Sequence, residues 1–516
     1  MRKYLHTIRW YIAATIAASL IEAVISAVML LFPGLLIDNY QKGFSYMGKL
    51  LAVYAVVFFL YLAEAYFSNR LADYRRIRFE KSIKKDFFDA VIRRDFEAYH
   101  RYDVAEYISM QANDITEMCQ NYLSPLLSVI RSVIMIAVFG VSLILFVDIS
   151  VAALILFFSL AVVFVPKLTD KKLSKRNKDY MDGVGQYTAS AKLLYEAHDI
   201  LDSKGREKLS ELHDEELNRV LNLNMNFRKL NSFAMVLNGG SVEAIGLIVF
   251  AAIAVLLNRH AITLGMAVNA FTYSTKFIDP MYEMNVCIGL VHSVREIQKK
   301  ITAIIEKNIP KAPAASLPIH NICATAMEKH YEGAEIHTPP AELTFPKKYL
   351  VLGENGAGKS VFFRLLMRFE KADSGSVLYD GRGDNDFISE SICYVPQSPI
   401  IFNASYLENV TVYGTYNGAN LKKYESYFPA DIISHIKNST NPRNMSGGEK
   451  QVIALLRALC SEKDMILLDE PFSAMNRVTI DEFMKHLAQI DKTLVIIAHN
   501  AENYSDQFDE QIIVRR

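Results

Sequence analysis

Residues 353 to 360 read GENGAGKS, in the order Gly353, Glu354, Asn355, Gly356, Ala357, Gly358, Lys359 and Ser360. Glycines at this spacing let the backbone turn tightly, so that successive amides converge on the β- and γ-phosphates of a nucleotide. Lys359 adds positive charge at those oxygens, and the Ser360 hydroxyl can hold Mg²⁺. An apolar strand, Tyr349 to Leu352, precedes the loop, and a helix opening at Val361 and running to Arg368 follows it. That order is what a phosphate-binding loop requires, because the amides at a helix N-terminus attract anions. A second apolar strand, Asp464 to Leu468, runs into Asp469 and Glu470. Adjacent carboxylates at the carboxyl end of a buried strand can place one group on Mg²⁺ and the next on an attacking water. Asp469 is therefore read as a metal ligand and Glu470 as the general base. An Asp-Glu pair after an apolar strand is common by itself; its weight here comes from the loop.

Shortly before that acidic strand stands MSGGEKQ, Met445 to Gln451. With the phosphate loop and the acidic strand, it makes the sequence resemble the ATP-binding cassette family. The resemblance implies that Ser446, Gly447 and Gly448 approach the γ-phosphate held by an opposite cassette. It implies that Gln397, after the strand Ser391 to Val395, contacts Mg²⁺ and the membrane domain, and that His499, after the strand Leu494 to Ala498, contacts the γ-phosphate. Tyr331 stands where an adenine-stacking aromatic is expected. Three features depart from the family pattern. Asn476 in the stretch SAMN replaces the usual Asp, keeping hydrogen bonding and losing charge; the segment between Gln397 and Ser446 is short; and the chain ends at Arg516, soon after the His499 strand.

These residues need a frame. A chain of 516 residues is expected to form more than one unit. Hydrophobic residues make up 51% of it and gather in long runs within the first 295 positions, which marks a membrane region. Six spans are expected near 10–37, 49–67, 124–146, 150–166, 233–257 and 264–292, the sixth being the most polar. Short connections around Gly43, Asp148 and Arg259 alternate with long polar loops, 68–123 and 167–232. The long loops carry the basic residues, from Arg70 to Arg101 and from Lys167 to Lys229, so the loops and both termini are expected to face the cytoplasm. Helical periodicity at Phe87, Val91, Ile92 and Phe96 predicts that the loops are helical. They are either coupling arms or solvated hairpins, and the resemblance, with Lys84 to Asp114 similar to a first coupling region, favours arms. The expected organisation is a six-helix membrane domain over 1–305, a Pro-containing linker over 306–318, and an α/β nucleotide-binding domain over 319–516.

Glu22, Glu64, Arg131, Glu243, Lys276, Asp279 and Glu283 fall inside the apolar spans. Such groups face the bundle interior, pair with one another or line a wet cavity. Structural pairing of Arg131 with Glu22 or Glu243 and contact with a substrate both stay open. The five cysteines show no metal-clamping spacing, and the net charge of zero argues against a nucleic-acid partner. The first apolar run is too long for a signal peptide and is expected to remain as helix one.

The fused order of membrane region and cassette implies, through the resemblance, an exporter-type half-transporter in a bacterial cytoplasmic membrane. It would bind ATP and Mg²⁺, pair with a second half, identical or different, and move a peptide or small amphipathic compound. A lipid flippase and a membrane-anchored regulatory ATPase are the alternatives. No peptidase segment precedes the first span, so a leader-cleaving exporter is not expected.

Overall fold

The computed structural model describes residues 1–94, 96–146, 149, 153, 157, 165, 167–306, 319–331, 334–383, 391–439, 444–498 and 501–515. Most of the expected fourth span, most of the expected linker, and His499 lie outside the described residues. The chain divides into two compact units: Met1–Ala90 with Val104–Lys307, and Val91–Asp103 with Asn308–Arg516. Residues 91–103 thus leave the first unit, where the expected boundary had put them.

The first unit is helical. Its main elements are α1 (Arg9–Asp38), α2 (Phe44–Ile92), α3 (Ser124–Phe146), α4 (Lys167–Glu196), α5 (Ser203–Asn258), α6 (Leu264–Ser293) and α7 (Arg295–Glu306). At 1.5 Å per residue, α2 and α5 are about 75 and 85 Å long. A bilayer core takes up roughly 30 Å, so each helix carries its polar half far beyond an apolar one. Among the described residues, four helical stretches are long and apolar enough to cross a membrane: Arg9–Asp38, Phe44–Ile92, Val104–Phe146 and Ser203–Asn258. α6 is long enough, but Lys276, Asp279 and Glu283 make it too polar to be counted with them.

Small residues and one break fasten α1 to α6. Pro33 sits inside α1 and has no N–H to give the helix. The next residue, Gly34, donates its N–H across to Asn269 Oδ1 at 3.0 Å. A Cβ on Gly34 would collide with Asn269 and with the Gly265 carbonyl, and one on Gly265 would collide with the Gly34 carbonyl and Asp38. Asp38 accepts from Gly265 N at 2.8 Å and from Thr263 Oγ1 at 2.6 Å, placing a carboxylate on the positive end of α6. Without a hydrophobic drive between helices in lipid, such close backbone contact and interhelical hydrogen bonds hold a bundle together. Beneath this contact Ala23, Ala27, Phe139, Tyr273 and Phe277 are buried, and Tyr273 Oη donates to the Ala27 carbonyl at 2.5 Å.

Among its described residues the second unit contains ten strands: β1 (Asn321–Ala324), β2 (Met327–Tyr331), β3 (Ala334–Thr338), β4 (Ala341–Thr344), β5 (Lys348–Leu352), β6 (Val377–Tyr379), β7 (Ile392–Val395), β8 (Met465–Asp469), β9 (Thr493–Ile497) and β10 (Glu510–Ile513). A parallel sheet has the order β10-β5-β9-β8-β7. Strands β8 and β9 are buried at every position, as central strands covered on both faces must be. Helix α8 (Lys359–Leu366) follows β5, α9 (Gly447–Cys460) precedes β8, and α10 (Arg477–Lys485) follows it. An antiparallel sheet, β4-β1-β6, and the β2–β3 hairpin complete the unit. Phe96, from the segment that joins this unit out of sequence, stacks on Phe369 with ring centroids 4.3 Å apart and planes 3° from parallel.

Gly265→Ala is expected to push α1 and α6 apart and to lower the stability of the purified chain by about 1–3 kcal/mol, the usual cost of overpacking. Gly48→Ala, inside α2 where an added carbon meets nothing within 4 Å, is expected to leave the thermal midpoint unlowered or slightly raised, since alanine suits a helix better than glycine. A thermal melt of the two variants in the same detergent checks this.

Candidate functional site

Lys359, Ser360, Gln397, Asp469 and Glu470 stand at, or just beyond, the carboxyl ends of strands of the parallel sheet. β5 ends at Leu352, and the chain turns through Gly353, Gly356 and Gly358, with φ of +157°, +79° and +93°. Left-handed backbone of this kind suits glycine. Gly358 has a second reason, since a Cβ there would collide with Ile336 of β3. The hairpin that carries Tyr331 is thereby packed against the phosphate loop.

Lys359 is buried, and its ammonium donates to the carbonyls of Gly353 at 2.8 Å and Glu354 at 2.9 Å. Burial lowers its pKa, while the nearby charges of Glu470 and Asp469 act to raise it. The lysine therefore stands over its own loop with two carboxylates close by.

Asp469 is the last residue of β8 and is 5% exposed. Burial raises its pKa, against the hydrogen bonds that Ser360 and Tyr394 give it. Tyr394 Oη donates to Asp469 Oδ2 at 3.2 Å. Glu470 then takes φ +48°, the left-handed region, without being glycine. Such a conformation costs of order 1–3 kcal/mol and persists only when the surroundings hold it. Here Glu470 N donates to the Ile497 carbonyl at 2.9 Å, and Gln397 Nε2 donates to Glu470 Oε2 at 2.8 Å. The turn aims the carboxylate away from the strand and toward the glutamine.

Ser446 is the N-cap of α9. Its hydroxyl accepts from Glu449 N at 3.3 Å, and Glu449 Oε2 accepts from Ser446 N at 2.6 Å, a complete capping box. A Cβ added at Gly447 would stand 2.9 Å from Ala474 Cβ, and one at Gly448 would stand 2.8 Å from the Ala474 carbonyl. The helix start is therefore fixed against the loop after β8. Gln451, one turn further on, donates to Ser473 Oγ at 2.8 Å and accepts from Ala474 N at 2.9 Å. Asn476, the departure from the family pattern, caps α10: its Oδ1 accepts from Thr479 N at 2.9 Å and from Thr479 Oγ1 at 2.8 Å.

The structure thus brings Lys359, Ser360, Gln397, Asp469 and Glu470 together, with Glu354, Asn355, Ala357 and Val361 in or just after the loop. Tyr331 is on the adjacent hairpin, its hydroxyl bonded to Glu370. Among the described residues no hydrogen bond or ion pair joins Ser446, Gly447 or Gly448 to the phosphate loop of their own chain. Tyr394 and Gln451 were not singled out from sequence. Tyr394 lies three residues before Gln397, and Gln451 closes MSGGEKQ, but only the fold shows that one holds Asp469 and the other fixes the loop after Glu470.

The family model described as ABC transporter transmembrane region matches residues 12–281, and the model described as ABC transporter matches residues 342–473. Among curated relatives, the Lactococcin-A transport/processing ATP-binding protein LcnC of Lactococcus lactis subsp. lactis is 32% identical over 166 residues, 30% of this chain and 23% of that one. The ATP-dependent lipid A-core flippase of Photobacterium profundum is 23% identical over 377 residues, 67% of this chain and 63% of that one. The match therefore spans about a quarter of the length of the first relative. The solved structure of a bacterial Atm1-family ABC exporter with ATP bound superposes with a TM-score of 0.81 at 16% identity, over 98% of this chain and 94% of that one. That likeness establishes the fold, and the family models identify its parts as an ABC transporter transmembrane region followed by an ABC cassette.

Two outcomes follow from the site's geometry. Asp469→Asn is expected to raise the thermal midpoint of the nucleotide-free chain at pH 7.5, because the folded state disfavours the charged carboxylate. The gain is expected to shrink as pH falls through the raised pKa, where the carboxyl of the unsubstituted chain is itself neutral. Thermal melts across pH check the sign. Gly358→Ala is expected to weaken ATP binding about tenfold or more, through both the φ of +93° and the collision with Ile336, as read by equilibrium binding of a fluorescent ATP analogue.

Proposed function

The chain belongs to the ABC transporter family, and from that premise we propose that it is an ATP-driven exporter. It works as one half of a pair in a bacterial cytoplasmic membrane, with six spans, both termini in the cytoplasm, and a peptide or small amphipathic compound as cargo. The observation that carries this reading is the convergence of Lys359, Ser360, Asp469, Glu470 and Gln397 at the ends of parallel strands, joined by the Gln397–Glu470 and Tyr394–Asp469 hydrogen bonds.

The donor set fits ATP and Mg²⁺. Loop amides and the Lys359 ammonium suit phosphate oxygens, and the Ser360 hydroxyl, Asp469 carboxylate and Gln397 amide offer the oxygen ligands a hard cation takes. When bound, the metal neutralises charge on the phosphates. Glu470 accepts a proton from the water that attacks the γ-phosphorus, and Gln397 holds that carboxylate in place beforehand. His499, assigned from its motif, steadies the γ-phosphate, and Tyr331 supports the adenine. Ser446, Gly447 and Gly448 serve the nucleotide of the partner cassette, which accords with the lack of any bond to their own phosphate loop. Each site is then complete only when two cassettes meet, and closure and release alternate the access of the membrane helices.

A route for coupling is built into the second unit. Phe96 stacks on Phe369; Phe369 meets the edge of Tyr394 at 5.9 Å; and Tyr394 bonds Asp469. Phe96 belongs to the first long loop, so a shift of that loop bears on the acidic strand through three rings.

Glu470→Gln is expected to reduce ATP turnover by about 10²-fold or more, the usual scale for a lost general base, while leaving ATP binding intact. Phosphate release and nucleotide binding by the same preparation check both. Phe96→Ala is expected to keep ATP turnover within about twofold but to lower cargo movement per ATP severalfold; vesicle transport measured beside phosphate release distinguishes the two.

A further inference from the structure

Within the first unit, α1, α2, α3 and α6 enclose a cavity of about 340 Å³, at the lower end of the size of small-molecule sites. Tyr61, Met135 and Phe139 give it apolar and aromatic wall, and charged groups from α1, α3 and α6 reach into it. Arg131 is clamped by Glu22, with Nε to Oε2 at 2.8 Å and Nη2 to Oε1 at 2.5 Å. Lys276 pairs with Asp279 at 3.3 Å. These two pairs account for both cations.

Two carboxylates remain. Among the described residues, Glu283 pairs with the already clamped Arg131, at 3.6 Å. Glu64 lies one helical turn after Tyr61, within range of the charges of Glu22 and Arg131, and neither of its carboxylate oxygens has a hydrogen-bond partner although both are shut off from solvent. Structural pairing explains Glu22, Arg131, Lys276 and Asp279; it leaves Glu64 and Glu283 in excess. Uncompensated carboxylates in a membrane bundle are costly and mark functional positions.

We infer that this cavity is the cargo site and that it selects a cationic group, an amine, guanidinium or quaternary ammonium on an apolar body. The excess negative charge of Glu64 and Glu283 compensates the cation. The faces of Tyr61 and Phe139 attract it further, and Met135 offers an adaptable apolar surface to the rest of the molecule. This assignment rests on the export reading and adds the charge of the cargo to it.

The test is equilibrium binding to the full chain in phosphatidylcholine nanodiscs without nucleotide, with empty discs subtracted. The probes are rhodamine 6G, a permanent cation, and fluorescein, an anion of the same ring system. Rhodamine 6G is expected to bind saturably and fluorescein not to bind. Glu64→Gln and Glu283→Gln are each expected to weaken rhodamine binding about tenfold, and Lys276→Gln to tighten it. Tighter saturable binding at an unchanged number of sites and an unchanged thermal midpoint marks a folded variant, so Lys276→Gln tests the electrostatics even where a glutamate variant fails to fold. Preferential binding of fluorescein, or rhodamine binding indifferent to all three substitutions, overturns the assignment. ATP turnover in the same discs keeps the readings apart: loss of the dye site with turnover intact removes only the cation site, and dye binding without turnover removes the ATP-driven reading.

Discussion

The buried carboxyl end of β8 is the constraint on which the second unit is built. A strand covered on both faces must be apolar, yet its last residue is Asp469, held 5% exposed and pushed by burial toward its neutral form. The neighbouring elements compensate that penalty locally: Tyr394 from β7, Ser360 from the start of α8, and the charge of Lys359. These groups meet Asp469 only because β7 and β9 flank β8 and β5 lies beyond β9. The sheet order, the loop and the site are consequences of one another. The left-handed Glu470 belongs to the same arrangement, since the chain must leave the sheet sharply for its carboxylate to face Gln397.

The membrane unit meets the same penalty with different means. Its arginine is fixed by a two-pronged carboxylate, its lysine by an acid one turn away, and its helices touch where glycine permits. The carboxylates left in excess beside the cavity are then informative, because an orphaned carboxylate such as Glu64 is retained in a bundle at a cost. The two units share a logic in which a buried charge is either neutralised by the fold or held for a ligand of opposite sign.

Local pattern carried the sequence reading where a function depends on contiguous residues. GENGAGKS, the strand ending in Asp469 and Glu470, and MSGGEKQ were legible because loop, strand end and helix cap are each set by a few adjacent residues. The structure puts β5, β7, β8 and β9 within about a residue of the expected strands, differences of the size that hydrogen-bond patterns at element ends produce. The long helical extensions were legible from periodicity in 68–123 and 167–232. Long-range partners were not. Nothing local distinguishes Glu22 from Glu243 as the partner of Arg131; helix packing selects Glu22. Likewise Phe96 reads as one apolar position of an amphipathic loop, and its place among the residues of the second unit follows from its stack on Phe369, 273 positions away. Of the five cysteines, Cys119, Cys287 and Cys460 are buried, Cys393 is half-buried and Cys323 is exposed on β1, differences that their spacing does not encode.

The central claim is that each catalytic centre is completed by a second cassette. Particle mass and ATP turnover, measured together on the purified chain in lipid nanodiscs over a range of chain-to-disc ratios, test it most directly. The account predicts turnover that follows the population of two-chain particles and vanishes in discs holding one chain. Equal turnover per chain in one-chain discs would contradict it.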